Sequence, residues 1–218
     1  MIQSRPRYDG SHRTALASFL AKALGRRHDD GVATVAVVLA AGAGSRFQGD
    51  THKLLAPFRS TTVIDIVLDN VERAGFDHVI VVTGAADIPA DLLDRPGFQV
   101  VPNPRWADGQ ATSLQTALAA ADALGADAVV VGLGDQPLVT TECWQRVAAG
   151  RGPITVATYD GERGNPVRLE RSVWPMLPSE GDVGARHVLG QHPELISEVA
   201  CEGSSADIDT QEDLDQWN

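Results

Sequence analysis

Three short apolar runs, each closing on glycine, constrain this chain more than any other feature. Thr34-Val35-Ala36-Val37-Val38-Leu39 opens into Ala40-Ala41-Gly42-Ala43-Gly44, and His78-Val79-Ile80-Val81-Val82 into Thr83-Gly84. Asp127-Ala128-Val129-Val130-Val131-Gly132-Leu133 leads in the same way to Gly134-Asp135-Gln136-Pro137. A strand without polar alternation is covered on both faces, the condition of a parallel sheet between helices. Ile64, Val67, Leu68 and Val71 fall at helical spacing before Gly75, as do Leu114, Ala117, Leu118 and Ala121 before Gly125. Phe98–Val101 reads as a shorter strand, Ile154–Ala157 and Pro166–Leu169 as strand-like, and Val183–Leu189 as helical. The expected fold is α/β, three layers with a mainly parallel sheet and right-handed crossovers. Ligands of such sheets lie beyond the carboxyl ends of the strands, so the loops after Leu39, Val82 and Leu133 are where chemistry is expected.

Charge divides the 218 residues unevenly. Residues 1–31 carry a net charge of +3 and the remainder −14, giving −11 in all. This step predicts a basic extension over 1–31, helical or disordered, ahead of one domain over 32–218. Arg5, Arg7 and Arg13 precede the apolar run Ala15–Ala21, but Lys22 and Arg26-Arg27 break the pattern of an export signal. An acidic body excludes nucleic acid and anionic membrane as partners, since both demand a basic surface. No run approaches the roughly 18 apolar residues that span a bilayer. The two cysteines, Cys143 and Cys201, stand far apart without paired spacing, which predicts no disulfide framework and a cytoplasmic setting.

The first glycine loop offers unshielded backbone N–H groups, a generic anion cradle. It does not read as a dinucleotide fingerprint, because Phe47 stands where the third glycine belongs and Asp65 falls within a helix. Nor is there the Gly-Lys-Ser/Thr of a P-loop. Arg46 follows the loop with a planar fork suited to phosphate, and Lys53 is the only lysine beyond residue 31. Asp135 leaves an apolar strand at the ligand end of the sheet, where a carboxylate suits Mg²⁺. Asp207-Ile208-Asp209-Thr210 contains candidates for a second carboxylate.

Taken together, Leu39–Arg46 with Lys53-Leu54-Leu55-Ala56-Pro57, Asp108–Leu114, Gly134–Pro137, Gly164-Asn165-Pro166, Gly181–Arg186 and Asp207–Thr210 occur in one order. In that order they resemble the MobA-like nucleotidyltransferases, most closely the molybdenum cofactor cytidylyltransferases, over roughly residues 35–217. The resemblance implies a Rossmann-like nucleotidyltransferase fold. It implies that Leu39, Ala40, Ala41, Gly42, Gly44 and Arg46 hold the nucleotide, with Lys53 on its phosphates. Gln110 and Ser113 would help read the base, and Asp135 with Asp209 would bind Mg²⁺. Asn165, Pro166, Asp182 and Arg186 would face a phosphorylated pterin acceptor, and Arg46, Lys53 and Asp135 would carry catalysis.

Two departures from the commoner family pattern stand out. Gly49 and Lys53 lie three and seven positions after Arg46, which lengthens the loop by two residues and raises the question of whether His52 touches phosphate. Arg59-Ser60-Thr61-Thr62 replaces a turn that more often contains glycine. The expected reaction is transfer of a nucleoside monophosphate from CTP or GTP to the acceptor phosphate, with release of pyrophosphate. Alternatives are transfer to another phosphorylated small acceptor, or a non-catalytic protein that binds and inserts the finished cofactor. Transient contact with a molybdoenzyme or its insertion chaperone is expected of either.

Overall fold

The computed structural model describes residues 34–49, 51–182 and 185–218; the basic extension over 1–31 lies outside them. Strands β1 (Thr34–Ala40), β4 (Val79–Thr83), β5 (Phe98–Pro102) and β6 (Ala128–Leu133) come from the apolar runs. They pair in parallel, β4 and β6 flanking β1. With β7 (Ile154–Tyr159), β8 (Glu162–Glu170) and β9 (Ile196–Ala200) they form a seven-stranded sheet in the order β5-β4-β1-β6-β8-β7-β9. Only β8 runs against the rest, antiparallel to both β6 and β7. The mixed end follows from a two-residue turn, in which Asp160 and Gly161 both take positive φ, at 51° and 87°.

Two apolar clusters cover the two faces of this sheet. On one side Leu114, Leu118 and Ala121 of helix α3 (Gln110–Ala123) bury Val35, Val37, Ile80 and Val129. On the other, Ile64, Val67, Leu68 and Val71 of α1 (Val63–Arg73) and Trp144 of α4 (Thr141–Ala148) bury Val38, Val81 and Val130. Burial alternates along β1, so adjacent residues enter opposite layers. A short helix α2 (Ala90–Leu93) precedes β5, α5 (Arg186–Gln191) precedes β9, and α6 (Gln211–Trp217) ends the chain. A small β2–β3 hairpin (Pro57–Phe58, Thr61–Thr62) leads into α1, and Arg59 occupies its left-handed position at φ 53°. Arg59 thus takes a left-handed conformation that glycine would adopt without strain.

The cysteine reading is corrected here. Cys143 at the start of α4 and Cys201 just past β9 form a disulfide, their Cα atoms 5.3 Å apart across 58 positions of sequence. The sheet brings them together: α4 lies over β7 and β8, and the Cys201 N–H donates to the Thr158 carbonyl of β7 at 2.8 Å. Among the described residues no helix is long and apolar enough to cross a membrane.

Candidate active site

The site lies where the strand-exit argument put it, beyond β1 and β6. Gly134 lets the two exits approach, its N–H donating to Leu39 O at 2.9 Å while a Cβ there would press on Ala40 and Ile64. Asp135 follows at once. Its backbone carbonyl accepts from Ile208 N at 2.9 Å, which ties the Asp207–Asp209 segment to the end of β6. Ile208 is fully buried against Phe58, Val63 and Leu214. In an extended segment the neighbours of an inward residue point the other way, so Asp207 and Asp209 both turn towards Asp135.

Lys53 Nζ sits between two of these carboxylates, 2.5 Å from Asp135 Oδ2 and 2.7 Å from Asp209 Oδ1. Its side chain is only 10% exposed. Burial opposes the ammonium charge, but Asp135 and Asp209 outweigh it and hold the Lys53 pKa above the ordinary lysine value. Arg46, 74% exposed, reaches Asp209 Oδ2 at 2.8 Å from the solvent side. A cleft of about 400 Å³ opens beside this cluster, with Gly42, Gly44, Arg46, Lys53, Asp135 and Asp209 in its walls. Leu39, Ala40 and Asp182 line it too. A Cβ on Gly42 would meet nothing within 4 Å, so the loop backbone is open to the cleft.

His52 answers the question of the longer loop. Its Nδ1 accepts from Leu54 N at 3.2 Å, which leaves the proton on Nε2 to donate to Gly42 O at 3.1 Å. Burial pulls its pKa below that of an ordinary histidine, consistent with a neutral ring bracing the loop. Gly44, at φ 62°, is required because a Cβ there would press on that ring and on Lys53.

Of the pair expected to read the base, Gln110 lines a second cavity of about 280 Å³ that shares Arg46, Lys53, Asp135 and Asp209 with the first. Ser113 is buried and accepts from Asn103 Nδ2 at 2.9 Å, bracing the turn before α3. Ala41 is also buried, its carbonyl accepting from Ala85 N at 3.1 Å, and serves the loop from behind. Gly109, at φ 107°, packs directly on the backbone of Gly181, and Ala111 N donates to Gly181 O at 2.9 Å. The second and fifth motifs therefore meet. Asn165 and Pro166, joined by a cis peptide, stand at the beginning of β8; Arg186 begins α5, and its side chain lies outside the described residues.

Sequence reasoning missed the part played by Gln136. Its Nε2 donates to Ser205 O and to Asp207 Oδ1, each at 2.7 Å, while its Oε1 accepts from Asn165 Nδ2 at 3.1 Å. Burial, and next the charge of Asp135, push the Asp207 carboxyl above the usual carboxylate range.

Among the described residues no three His, Cys, Asp or Glu side chains converge as metal ligands. Two do converge, on one cation: Asp135 and Asp209 meet at Lys53 Nζ, and Asp135 Oδ1 is buried without a partner. An oxygen-seeking divalent ion that also takes phosphate oxygens fits such a pair.

An α/β sheet with a glycine loop, basic residues and paired carboxylates at its carboxyl edge is the frame of a nucleotidyltransferase. Over residues 36–195 the chain matches the MobA-like NTP transferase domain, and it belongs to that family. Nicotine blue oxidoreductase of Paenarthrobacter nicotinovorans is 32% identical over 192 residues, covering 82% of this chain and 93% of the relative. The crystal structure of Rv0371c from Mycobacterium tuberculosis H37Rv superposes with a TM-score of 0.72 at 32% identity, covering 87% of this chain and 98% of that one. A complex of Rv0371c with manganese gives 0.68 at 30% identity, with 84% and 97% covered. A nucleotidyl transferase from Methanothermobacter thermautotroptrophicus, Mth528, gives 0.72 at 25% identity, with 86% and 98% covered.

Proposed function

We propose that this nucleotidyltransferase moves a nucleoside monophosphate from CTP, or GTP, onto the phosphate of a molybdopterin-type acceptor, with pyrophosphate leaving. The observation that carries the reading is the meeting of Lys53, Arg46, Asp135 and Asp209 at the mouth of a glycine-lined cleft. An acceptor phosphate is already ionised near pH 7, so no strong general base is required; the protein's task is positioning and charge balance. The open backbone at Gly42–Gly44 cradles the triphosphate. Arg46, largely free in solvent, swings its fork to the leaving phosphates, and Lys53 balances their charge from the buried side. Asp135 and Asp209 would hold Mg²⁺, which supplies Lewis-acid neutralisation of phosphate charge when bound. The manganese complex of Rv0371c supports a divalent ion in this family. Asn165, Pro166 and Asp182 serve the acceptor side.

The test is incubation with CTP or GTP, molybdenum cofactor and Mg²⁺, with pyrophosphate as readout. No release with either nucleotide refutes the reading. A panel of sugar, lactate and polyol phosphates separates other acceptors from a pterin. An Asp135→Asn variant that turns over at the parental rate removes the metal-carboxylate account and favours a cofactor-inserting protein. The name of the Paenarthrobacter relative favours a second reading, oxidoreduction of a compound such as nicotine blue. Reduction of such a dye by a nicotinamide cofactor, without pyrophosphate release, would establish that instead.

A further inference from the structure

Outside the main sheet the chain builds a second pairing. The stretch from Asp135 to Cys143, which leaves β6 and enters α4, runs antiparallel to the stretch from Cys201 to Asp209, which leaves β9 and leads to α6. Cys143 is bonded to Cys201, and Val139 faces Gly203 in an antiparallel bridge. Ser204 N donates to Leu138 O at 3.3 Å, Gln136 Nε2 to Ser205 O at 2.7 Å, and Ile208 N to Asp135 O at 2.9 Å. Gly203 permits the close approach, since a Cβ there would lie 2.5 Å from Leu138 O. The disulfide closes one end of this ladder. Asp135 and Asp209, meeting at Lys53, stand at the other.

The surroundings of the bond suit a thiol as well as a disulfide. Tyr159 Oη lies 3.2 Å from Cys143 Sγ and gives its one proton to Asn165 O at 2.7 Å. Burial holds the phenol pKa above its ordinary value, so that proton stays in place. A disulfide sulfur has no proton to donate, whereas the S–H created by reduction finds an acceptor in Tyr159 Oη. Cys143 is buried, but Cys201 is partly exposed, which offers a reductant one sulfur to attack.

We propose that Cys143 and Cys201 form a redox-responsive clasp on the segment that carries Asp207 and Asp209, opened by a dithiol and closed again by its oxidised form. A thiolate of the reductant attacks Cys201 Sγ, and the Cys143 thiolate leaves and takes a proton; the second sulfur of the reductant then displaces Cys201 from the mixed disulfide. Two electrons pass, the dithiol becomes a cyclic disulfide, and its two protons end on the two cysteines. With the clasp open, the near end of the ladder is held by one bridge and single hydrogen bonds, while Ile208 stays anchored in its apolar cluster. The carboxylates therefore lose register, not attachment. Loss of outer support for ligating groups costs about 10–100-fold in metal affinity, and the lower end applies to a segment still anchored at Ile208. The clasp stands independently of the proposed function; its effect on a divalent ion rests on that reading.

The test compares the full chain in its oxidised form with the same chain after dithiothreitol and desalting under nitrogen, free thiols being counted in each. In the reduced form, peptides covering Gly203–Asp209 should take up deuterium about tenfold faster, while those covering β1 and β6 stay protected over the same first minute. Mn²⁺ affinity, read from the EPR signal of the free ion, should fall about tenfold, and oxidised dithiothreitol should restore both. Cys201→Ser should match the reduced protein in both readouts and ignore dithiothreitol. Equal deuterium uptake in the two forms, or equal measurable Mn²⁺ affinity, overturns the inference. So does faster uptake in β1 and β6 as well, the mark of a bond that only stabilises the fold, and so do two free thiols that persist after oxidised dithiothreitol. If neither form binds Mn²⁺ while Gly203–Asp209 responds, the metal-carboxylate part of the proposed function falls and the clasp stands. Tight Mn²⁺ binding with uptake unchanged by redox state leaves the proposed function and removes the clasp.

Discussion

Replacing Lys53 by Met removes a buried cation and keeps most of its apolar stem. In the structure its ammonium lies 2.5 Å from Asp135 and 2.7 Å from Asp209, whose side chains are 17% and 19% exposed. Removing one partner of a buried ion pair costs about 3–5 kcal/mol, because the charge left behind loses both water and counter-ion. Arg46 still reaches Asp209 at 2.8 Å, and both carboxylates keep some solvent, so the lower end, about 3 kcal/mol, applies. For a domain of this size each kcal/mol moves Tm by about 2–4 °C, which predicts a fall of about 6–12 °C. Differential scanning fluorimetry in EDTA measures it. Millimolar Mg²⁺ should then raise the Tm of Lys53→Met more than that of the parent, since a divalent ion neutralises the same carboxylates. A Tm within 2 °C of the parent in EDTA would refute the reasoning that Lys53 is the charge holding the two aspartates together.

Reducing the Cys143–Cys201 disulfide reopens a loop spanning 58 positions, and loop-closure entropy sets the loss at about 4 kcal/mol at most, read as a lower denaturation midpoint after thiol treatment. Thr210 caps α6 in a box with Asp213, and Thr210→Ala should cost about 1 kcal/mol in urea unfolding. The hydrogen bond from the Thr210 side chain, chief among several, holds the Asp213 carboxyl below its usual pKa. Its contribution is therefore present above about pH 4 and is lost as pH falls through the folded value, so Asp213→Asn should flatten acid unfolding below pH 4. Gly109→Ala would set a Cβ 2.5 Å from the Gly181 backbone at a φ that disfavours side chains. It should cost at least about 1–3 kcal/mol and raise the KM for nucleotide.

The parallel half of the sheet was legible because β1, β4 and β6 are buried on both faces, and unbroken apolar runs have few other fates. The reversed β8 was not anticipated, although Asp160-Gly161 is a two-residue hairpin signal. Helix α4 is short and its apolar residues few, so Thr140 as cap was its only sequence mark; α6 carried the stronger Thr210-x-x-Asp213 signature. Strand β9 sits half exposed at an edge, where burial imposes little pattern. At the site, charge type and strand exits predicted Asp135 and Lys53, and family resemblance supplied Asp209. The use of the Ser113 hydroxyl by Asn103 was not legible, because a hydroxyl one turn into α3 can serve the turn behind it as readily as a ligand. The disulfide was invisible because a separation of 58 residues encodes no distance.

The reversed direction of β8 has an outcome beyond topology. Because it runs against β6, its first residues, and not its last, reach the edge where the other strands end, with Val167 beside Val131. The two cavities are thereby lined from two stretches of chain that follow one another: the glycine loop, Lys53 and Asp135 before residue 138, and Asn165, Val167, Asp207 and Asp209 after residue 163. Substitutions at Asn165 or Val167 can reshape that side of the cavity without touching the glycine loop or Lys53. A gene encoding such a frame can diversify by its second half, which gives a physical route by which relatives sharing this architecture come to bear names as different as nucleotidyl transferase and nicotine blue oxidoreductase.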